Sequence, residues 1–435
     1  MKTFMRKGMH MLFRKALDNK HDRSRWLTHT MGRREFLQRS AALAGFVALG
    51  GGSFVLSACS SASGKSGGGS IKVGVVTDLT GALFYAGIAN ANVARMVIND
   101  INAEGGLLGR PIALYLEDSA STDSVGATRA AKLVQQDQVD VVFGGITSSM
   151  RQAIKGPVVQ HGKTLYIYPQ LYEGQECDPL IFCTGPTPAQ QVEPFIPWLM
   201  HQTGAKKFYL PSADYIWPRT LNKSVRQVVT ANGGEVVGEE YFPIDATDYS
   251  TTINKIMARG TEVVFNTVIP PGLTPFFEQL YNAGFTKRGG HLVCLYFDEN
   301  LLSIVPAAQM EGLYSCLDYF QNISDPFSKE LLDQYNKLYP GSAKFTAGSA
   351  TTGMYRGLKL WEAAVKEAGS LKPKDVVHAL DHAKIAQGPG GPAEMVPGQH
   401  HVRMNMYIAQ SKNGRYEILK NLGAIDPKEC VQGVK

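Results

Sequence analysis

Polar side chains recur just after short apolar runs in this 435-residue chain, a placement from which they could hold or transform a small molecule. Ser148-Ser149 follow the run at 139–143, and Tyr168-Pro169-Gln170 close the run at 164–168. Thr80-Gly81 close an earlier run, and Ser212-Ala213-Asp214-Tyr215-Ile216-Trp217 and Asp298-Glu299 take the equivalent place later. If these runs are strands of open parallel sheets, the residues rim the crevice outside the strands' carboxyl ends, where ligands bind. A hydroxyl at a helix start can receive an anionic or carbonyl oxygen beside free backbone N–H groups. The same serine can also be no more than a helix cap. Asp298 or Glu299 could pair with an ammonium and Tyr215 could cover an apolar body; as plain structure they would be a surface acid and a core aromatic.

Motifs for covalent or metal chemistry are missing. Gly64-Lys65-Ser66 comes nearest to a phosphate loop, yet the first glycine of that motif falls on Cys59 and no strand precedes it. Neither HExxH nor GxSxG occurs. His400-His401 are neighbours in an expected strand, so they point to opposite faces and make poor co-ligands. The expectation is therefore no catalytic residue, no metal and no cofactor.

The elements that must position these residues alternate regularly. Runs at 71–76, 112–116, 139–143 and 164–168 read as strands, with helices at 90–102, 124–136 and 150–160 between them. This βαβαβαβ order is that of a parallel sheet with helices on both faces. After Gly185-Pro186-Thr187-Pro188 the rhythm restarts, with helices at 190–201 and 221–232 and strands at 207–210, 235–242, 262–268, 291–297 and 312–317. Helices at 327–338, 354–368 and 375–382 follow, and 393–419 reads as β-hairpins punctuated by Pro397-Gly398 and Asn413-Gly414. The reading is two α/β sheets without a sequence repeat.

The first seventy residues carry a different message. Arg33-Arg34 precede an apolar stretch at 41–55, then Leu56-Ser57-Ala58-Cys59 and a Ser/Gly-rich run at 60–70. Basic, apolar and small residues in that order make a secretory signal, and twin arginines point to the Tat route. The ending resembles a lipobox, in which Cys59 is acylated and the run behind it is a flexible tether. Residues 1–58 hold 11 Lys/Arg and 3 Asp/Glu, so the formal +6 leaves a mature part near −2, with 33 basic and 35 acidic residues. A nucleic-acid partner is thereby disfavoured. Five cysteines remain after Cys59: Cys177, Cys183, Cys294, Cys316 and Cys430. An oxidising compartment permits disulfides; spacing alone leaves the pairing open.

In order along about 70–420, the chain resembles the type I periplasmic solute-binding family, closest to the leucine/isoleucine/valine-, short-chain amide- and urea-binding receptors of ABC importers. The likeness is carried by Asp100-Ile101-Asn102-Ala103-Glu104-Gly105-Gly106 with Gly109-Arg110-Pro111-Ile112, and by Tyr172-Glu173-Gly174. Asp214-Tyr215 with Pro218-Arg219 and Asn222, Val264-Phe265-Asn266-Thr267, and Gln387-Gly388-Pro389 before His400-His401 continue it. The resemblance implies two Rossmann-like lobes with a ligand cleft and a three-stranded hinge, crossed near Thr187, Tyr319 and Gly388. It assigns 1–58 to the signal peptide, 59–69 to the tether, 70–187 and 320–388 to lobe 1, and 188–319 and 389–435 to lobe 2. By position, Ser148 matches the family's ligand-binding serine, with Ser149 beside it. Tyr168 and Gln170 match the contacts to the amide or carboxylate end. Tyr215 matches the tyrosine of lobe 2, Glu299 the acid that takes an ammonium in amino-acid binders, and Tyr85 a first-loop residue lining the pocket. Gly145-Ile146-Thr147 stand where amide and urea receptors often carry a bulky residue. Cys183 stands where tyrosine is more usual, which makes a Cys177–Cys183 disulfide the expectation.

These readings converge on an exported receptor, monomeric and anchored to a membrane through lipidated Cys59, in the periplasm or at the cell surface. It would capture an aliphatic amino acid or a short amide or urea compound and deliver it to ABC permease subunits. A sensor using the same fold is the alternative reading, and an enzyme is disfavoured for want of a nucleophile–base pair.

Overall fold

The computed structural model describes residues 69–347 and 351–431; Arg33, Arg34 and Cys59 lie outside them. All the described residues belong to one contact unit, Ser66–Lys435. Its N-terminal half alternates strand and helix: β1 (Ile71–Thr77), α1 (Phe84–Ala103), β2 (Ile112–Asp118), α2 (Asp123–Gln135), β3 (Val141–Gly144), α3 (Ser148–Lys155), β4 (Leu165–Tyr168) and β5 (Ile181–Cys183). The pattern repeats with α4 (Pro188–Thr203), β6 (Lys207–Ala213), α5 (Ile216–Ala231), β7 (Glu235–Phe242), α6 (Ser250–Ala258), β8 (Val263–Phe265), α7 (Leu273–Asn282), β9 (His291–Val293), α8 (Glu299–Ile304), α9 (Ala307–Met310) and β10 (Tyr314–Leu317). Helices α10 (Pro326–Leu338), α11 (Thr352–Ala368) and α12 (Pro373–Leu380) follow. The chain ends in β11 (Lys384–Ile385), β12 (Ala393–Val396), β13 (His401–Lys412) and β14 (Arg415–Ile425).

The strands run in the order β2-β1-β3-β4-β5, then β13, then β10-β9-β8-β6-β7. Each half is parallel throughout. Strand β13 joins them, with His401 beside Cys183 of β5 and Tyr407–Gln410 running antiparallel to β10. Both halves place their second strand at the edge and their first beside it. Each therefore has a switch point, β1/β3 and β6/β8, at which the strand order reverses and a crevice opens.

Alternation along the strands builds the two layers. Val73 and Val75, Val141 and Phe143, Leu165 and Ile167, and Phe182 enter one buried cluster. Their neighbours Val76, Val142, Tyr166, Tyr168, Ile181 and Cys183 enter a second cluster with Met150 and Ile154 of α3. Sheets covered on both faces read as continuous apolar runs, as these do. The helix expected at 150–160 is α3 followed by a π-helical turn, Gly156–His161. Pro157 lacks the N–H that would continue the α pattern.

One expectation is overturned. Cys177 pairs with Cys430, not with Cys183. The side chain of Cys183 belongs to the buried face of β5 and its thiol is free. The C-terminal segment instead lies on the loop that carries Cys177: the Gln175 N–H donates to a Glu429 carboxylate oxygen at 2.6 Å, and Thr187 Oγ1 donates to the Pro427 carbonyl at 2.9 Å.

Candidate functional site

The two switch points face one narrow cleft of about 50 Å³. From the first half come Leu83 and Tyr85 after β1, Ser148 at the start of α3, and Gln170 after β4. The second half supplies Tyr215 and Trp217 after β6, Ile269 after β8 and Tyr296 after β9. Helix α3 touches α5 across it. Strands β8 and β9 stop short of the expected 268 and 297 because the residues beyond them turn into irregular segments that line this cleft. The Tyr296 hydroxyl is held there by the Val268 carbonyl.

The walls are aromatic and, among the described residues, the lining contains no charged side chain. Trp217 lies edge-on to Tyr296, with ring centroids 5.6 Å apart, and tilted against Tyr215 at 6.2 Å. Burial pushes the Tyr85 and Tyr215 phenols well above their ordinary pKa, so both remain neutral donors. Gln170 is 1% exposed, and neither atom of its terminal amide has a hydrogen-bond partner. The Trp217 indole N–H, also buried, has none. Most buried polar groups in folded proteins are paired, so two unpaired groups lining one cleft make it a candidate ligand site.

Below Ser148 lies a buried polar cluster. Its hydroxyl donates to Glu173 Oε2, and Arg151 Nη2 donates to Glu173 Oε1 at 2.8 Å. Arg151 and Glu173 are both almost fully buried. The guanidinium carbon lies 5.0 Å from the Tyr168 ring centroid and 4.6 Å from that of Tyr172. Burial opposes its charge, but Tyr168, Glu173 and Tyr172 outweigh that and raise its pKa.

A model of the periplasmic binding protein family matches residues 70–415. The chain belongs to that family. This periplasmic binding protein is 24% identical over 200 residues to the Leu/Ile/Val-binding protein BraC3 of Rhizobium johnstonii, a match covering 45% of the chain and 53% of the relative. Against a Leu/Ile/Val-binding protein homologue of Brucella abortus it is 22% identical over 342 residues, covering 73% of the chain and 81% of the relative. It thus spans about half the length of the first relative and four-fifths of the second. A solute-binding protein of an R. palustris ABC transporter, solved with benzoate, superposes with a TM-score of 0.73 at 20% identity, over 83% of the chain and 99% of that structure. The type I fold is shared, and membership implies an exported solute-binding protein.

Four of the expected site residues of this binding protein, Tyr85, Ser148, Gln170 and Tyr215, line the cleft. Three do not. Tyr168 lies beneath the floor, its hydroxyl donating to the Ile146 carbonyl at 3.1 Å. Ser149 faces away, 3.0 Å from Thr147 Oγ1 and 3.2 Å from Asp123. Glu299 opens α8 but accepts the Gln321 N–H at 2.8 Å and is absent from the lining. Burial pushes its carboxyl up to about 8. Trp217 stands in the run read after β6 and Glu173 in the Tyr172-Glu173-Gly174 motif, but neither was given a site role, and Tyr296 and Arg151 were not singled out. Trp217 was legible as the residue two beyond Tyr215, and Arg151 as i+3 from Ser148 on one helix side. Nothing local marks Tyr296 or Glu173 as part of the site. His400 and His401 are structural: one stacks on Phe182 at 4.1 Å and the other on Tyr172 at 5.7 Å.

Proposed function

We propose that this chain is a solute receptor of an ABC importer, exported by the Arg33-Arg34 signal and held at a membrane by acylated Cys59. Residues 70–187 and 320–388 form one lobe, 188–319 and 389–435 the other. The lobes close on solute and present it to the permease. Between an amino acid and a small amide or urea compound, the cleft favours the neutral carboxamide or urea with a compact apolar body.

The observation that carries this reading is Gln170. Its buried amide offers one donor and one acceptor side by side, both unused, and a carboxamide matches that pair with its carbonyl and N–H. A zwitterion fits less well, because no acidic side chain among the described residues lines the cleft to receive its ammonium. An unpaired buried charge costs several kcal/mol.

Thermal unfolding of the mature protein with leucine, urea, isobutyramide, benzamide and benzoate tests the proposal. Carboxamides or urea should raise the midpoint most. Stabilisation by leucine alone would reverse the ligand class, and no shift with any of the five would sink it.

A further inference from the structure

We infer that Glu173, which does not line the cleft, sets the hydrogen-bond polarity of Ser148 and through it the preference for amide over acid ligands; this rests on the ligand class proposed above. A serine hydroxyl has one proton and two lone pairs. The proton of Ser148 goes down to Glu173 Oε2. Glu173 has none to return, since it faces the Arg151 guanidinium at 2.8 Å and an ionised carboxylate only accepts. The other neighbour beneath, Tyr168, directs its own proton to the Ile146 carbonyl at 3.1 Å. Ser148 therefore turns lone pairs towards the ligand and asks it for a donor.

A carboxamide N–H answers that demand while its carbonyl meets the Gln170 Nε2 donor. A carboxylate would set an oxygen against the Ser148 lone pairs, a mismatch of the kind that separates close analogues strongly when the groups are buried. Glu173 is thus a positioning residue that acts on specificity through Ser148.

Glu173→Gln should invert the arrangement. Arg151 requires an acceptor, so it orients the new amide with its oxygen towards the guanidinium and its NH2 towards Ser148. Ser148 then accepts from below, and its proton is free to point into the cleft. Calorimetric titration of isobutyramide against isobutyrate, and of benzamide against benzoate, reads this directly. The wild-type protein should prefer each amide by about tenfold or more, equivalent to about 1.4 kcal/mol. Glu173→Gln should erase or reverse that ratio, whereas a merely structural role would weaken both members of a pair equally. An unchanged ratio in a variant that still binds overturns the inference. If Glu173→Gln does not fold, Ser148→Ala serves, since it leaves the Arg151–Glu173 pair intact; it should remove the amide preference, and its persistence overturns the inference. A wild-type protein that binds urea but does not discriminate amide from acid refutes this inference alone. One that binds none of these probes refutes the ligand class as well.

Discussion

Gln170 should have opposite effects on the empty and the occupied protein. A buried polar group without a partner costs about 1–3 kcal/mol, and the same group paired to ligand recovers that amount. Gln170→Met, close in volume, should therefore leave the empty protein as stable or raise its midpoint, while weakening ligand binding by about tenfold to a hundredfold. Thermal unfolding and titration on the same sample check both signs; a destabilised empty protein would mean the amide is already satisfied. Glu299 makes a second prediction, in pH. Its carboxyl is raised by burial from 4.5 to about 8, so the folded state holds the proton more tightly than the unfolded one. Stability from this group is full below the unfolded value and falls as pH rises through the folded one. Glu299→Gln should flatten the loss of stability between pH 5 and about 8. A parallel slope in wild type and variant would reject the assignment. At this scale the sequence was half legible. Residues directly after strands, such as Ser148 and Gln170, were visible because a parallel sheet exposes its strand ends. Glu299 follows no strand closely, since β9 ends at Val293, and its orientation depends on Gln321, which no local pattern predicts.

At the scale of elements, the strands β1 to β4, β6 and β7 were read within about three residues, because burial leaves an apolar composition. Helices α1 and α5 begin five or six residues before the expected starts, and β5 and the short helices α6 to α9 between the later strands were not read. The capping box at Thr187 and Gln190 marks the start of α4. Partnership over long distance also escaped. Cys177 and Cys183 are near in sequence, but β5 commits Cys183 to the core, and the partner of Cys177 lies 253 residues on. Closing so long a loop restrains the unfolded chain, by about 2–4 kcal/mol in typical cases. Cys430→Ser should lower the unfolding midpoint in non-reducing buffer and abolish the wild-type response to reductant. Alkylation of the denatured, unreduced mature protein should label Cys183, Cys294 and Cys316 while sparing Cys177 and Cys430. Labelling at either of the last two would contradict the pairing.

At the scale of the molecule, the question is what holds the chain where it passes between the two half-sheets. The crossing after β5 and that after β10 meet on one side chain of α11, and the segment at Gly390 packs beside the second of them. Arg356 Nη1 donates to the Thr184 carbonyl at 2.6 Å and Nη2 to Asp318 Oδ2 at 2.5 Å. Thr184 Oγ1 returns a bond to the Gly353 carbonyl at 2.7 Å, and Thr352 also donates to Asp318. Gly390 lies so near the Asp318 carbonyl that a Cβ there would stand 2.1 Å from its oxygen, and its own carbonyl accepts from Tyr407 at 2.9 Å. If the proposed lobes close on solute, they turn about this knot, and a planar guanidinium can span two acceptors where an ammonium meets them only as a point charge. Arg356→Lys keeps the charge, so it avoids the 3–5 kcal/mol or so lost when a buried pair is broken outright. It should nevertheless loosen the coupling between crossings. In small-angle scattering, the wild-type radius of gyration should fall on adding a binding amide, as lobes close by hinge motion. A lysine side chain cannot reproduce the bridge, so the variant should start larger without ligand and need more ligand for the same compaction. Equal radii and equal midpoints in both proteins would show that the turning point lies elsewhere, and would confine Arg356 to holding α11 against the sheet.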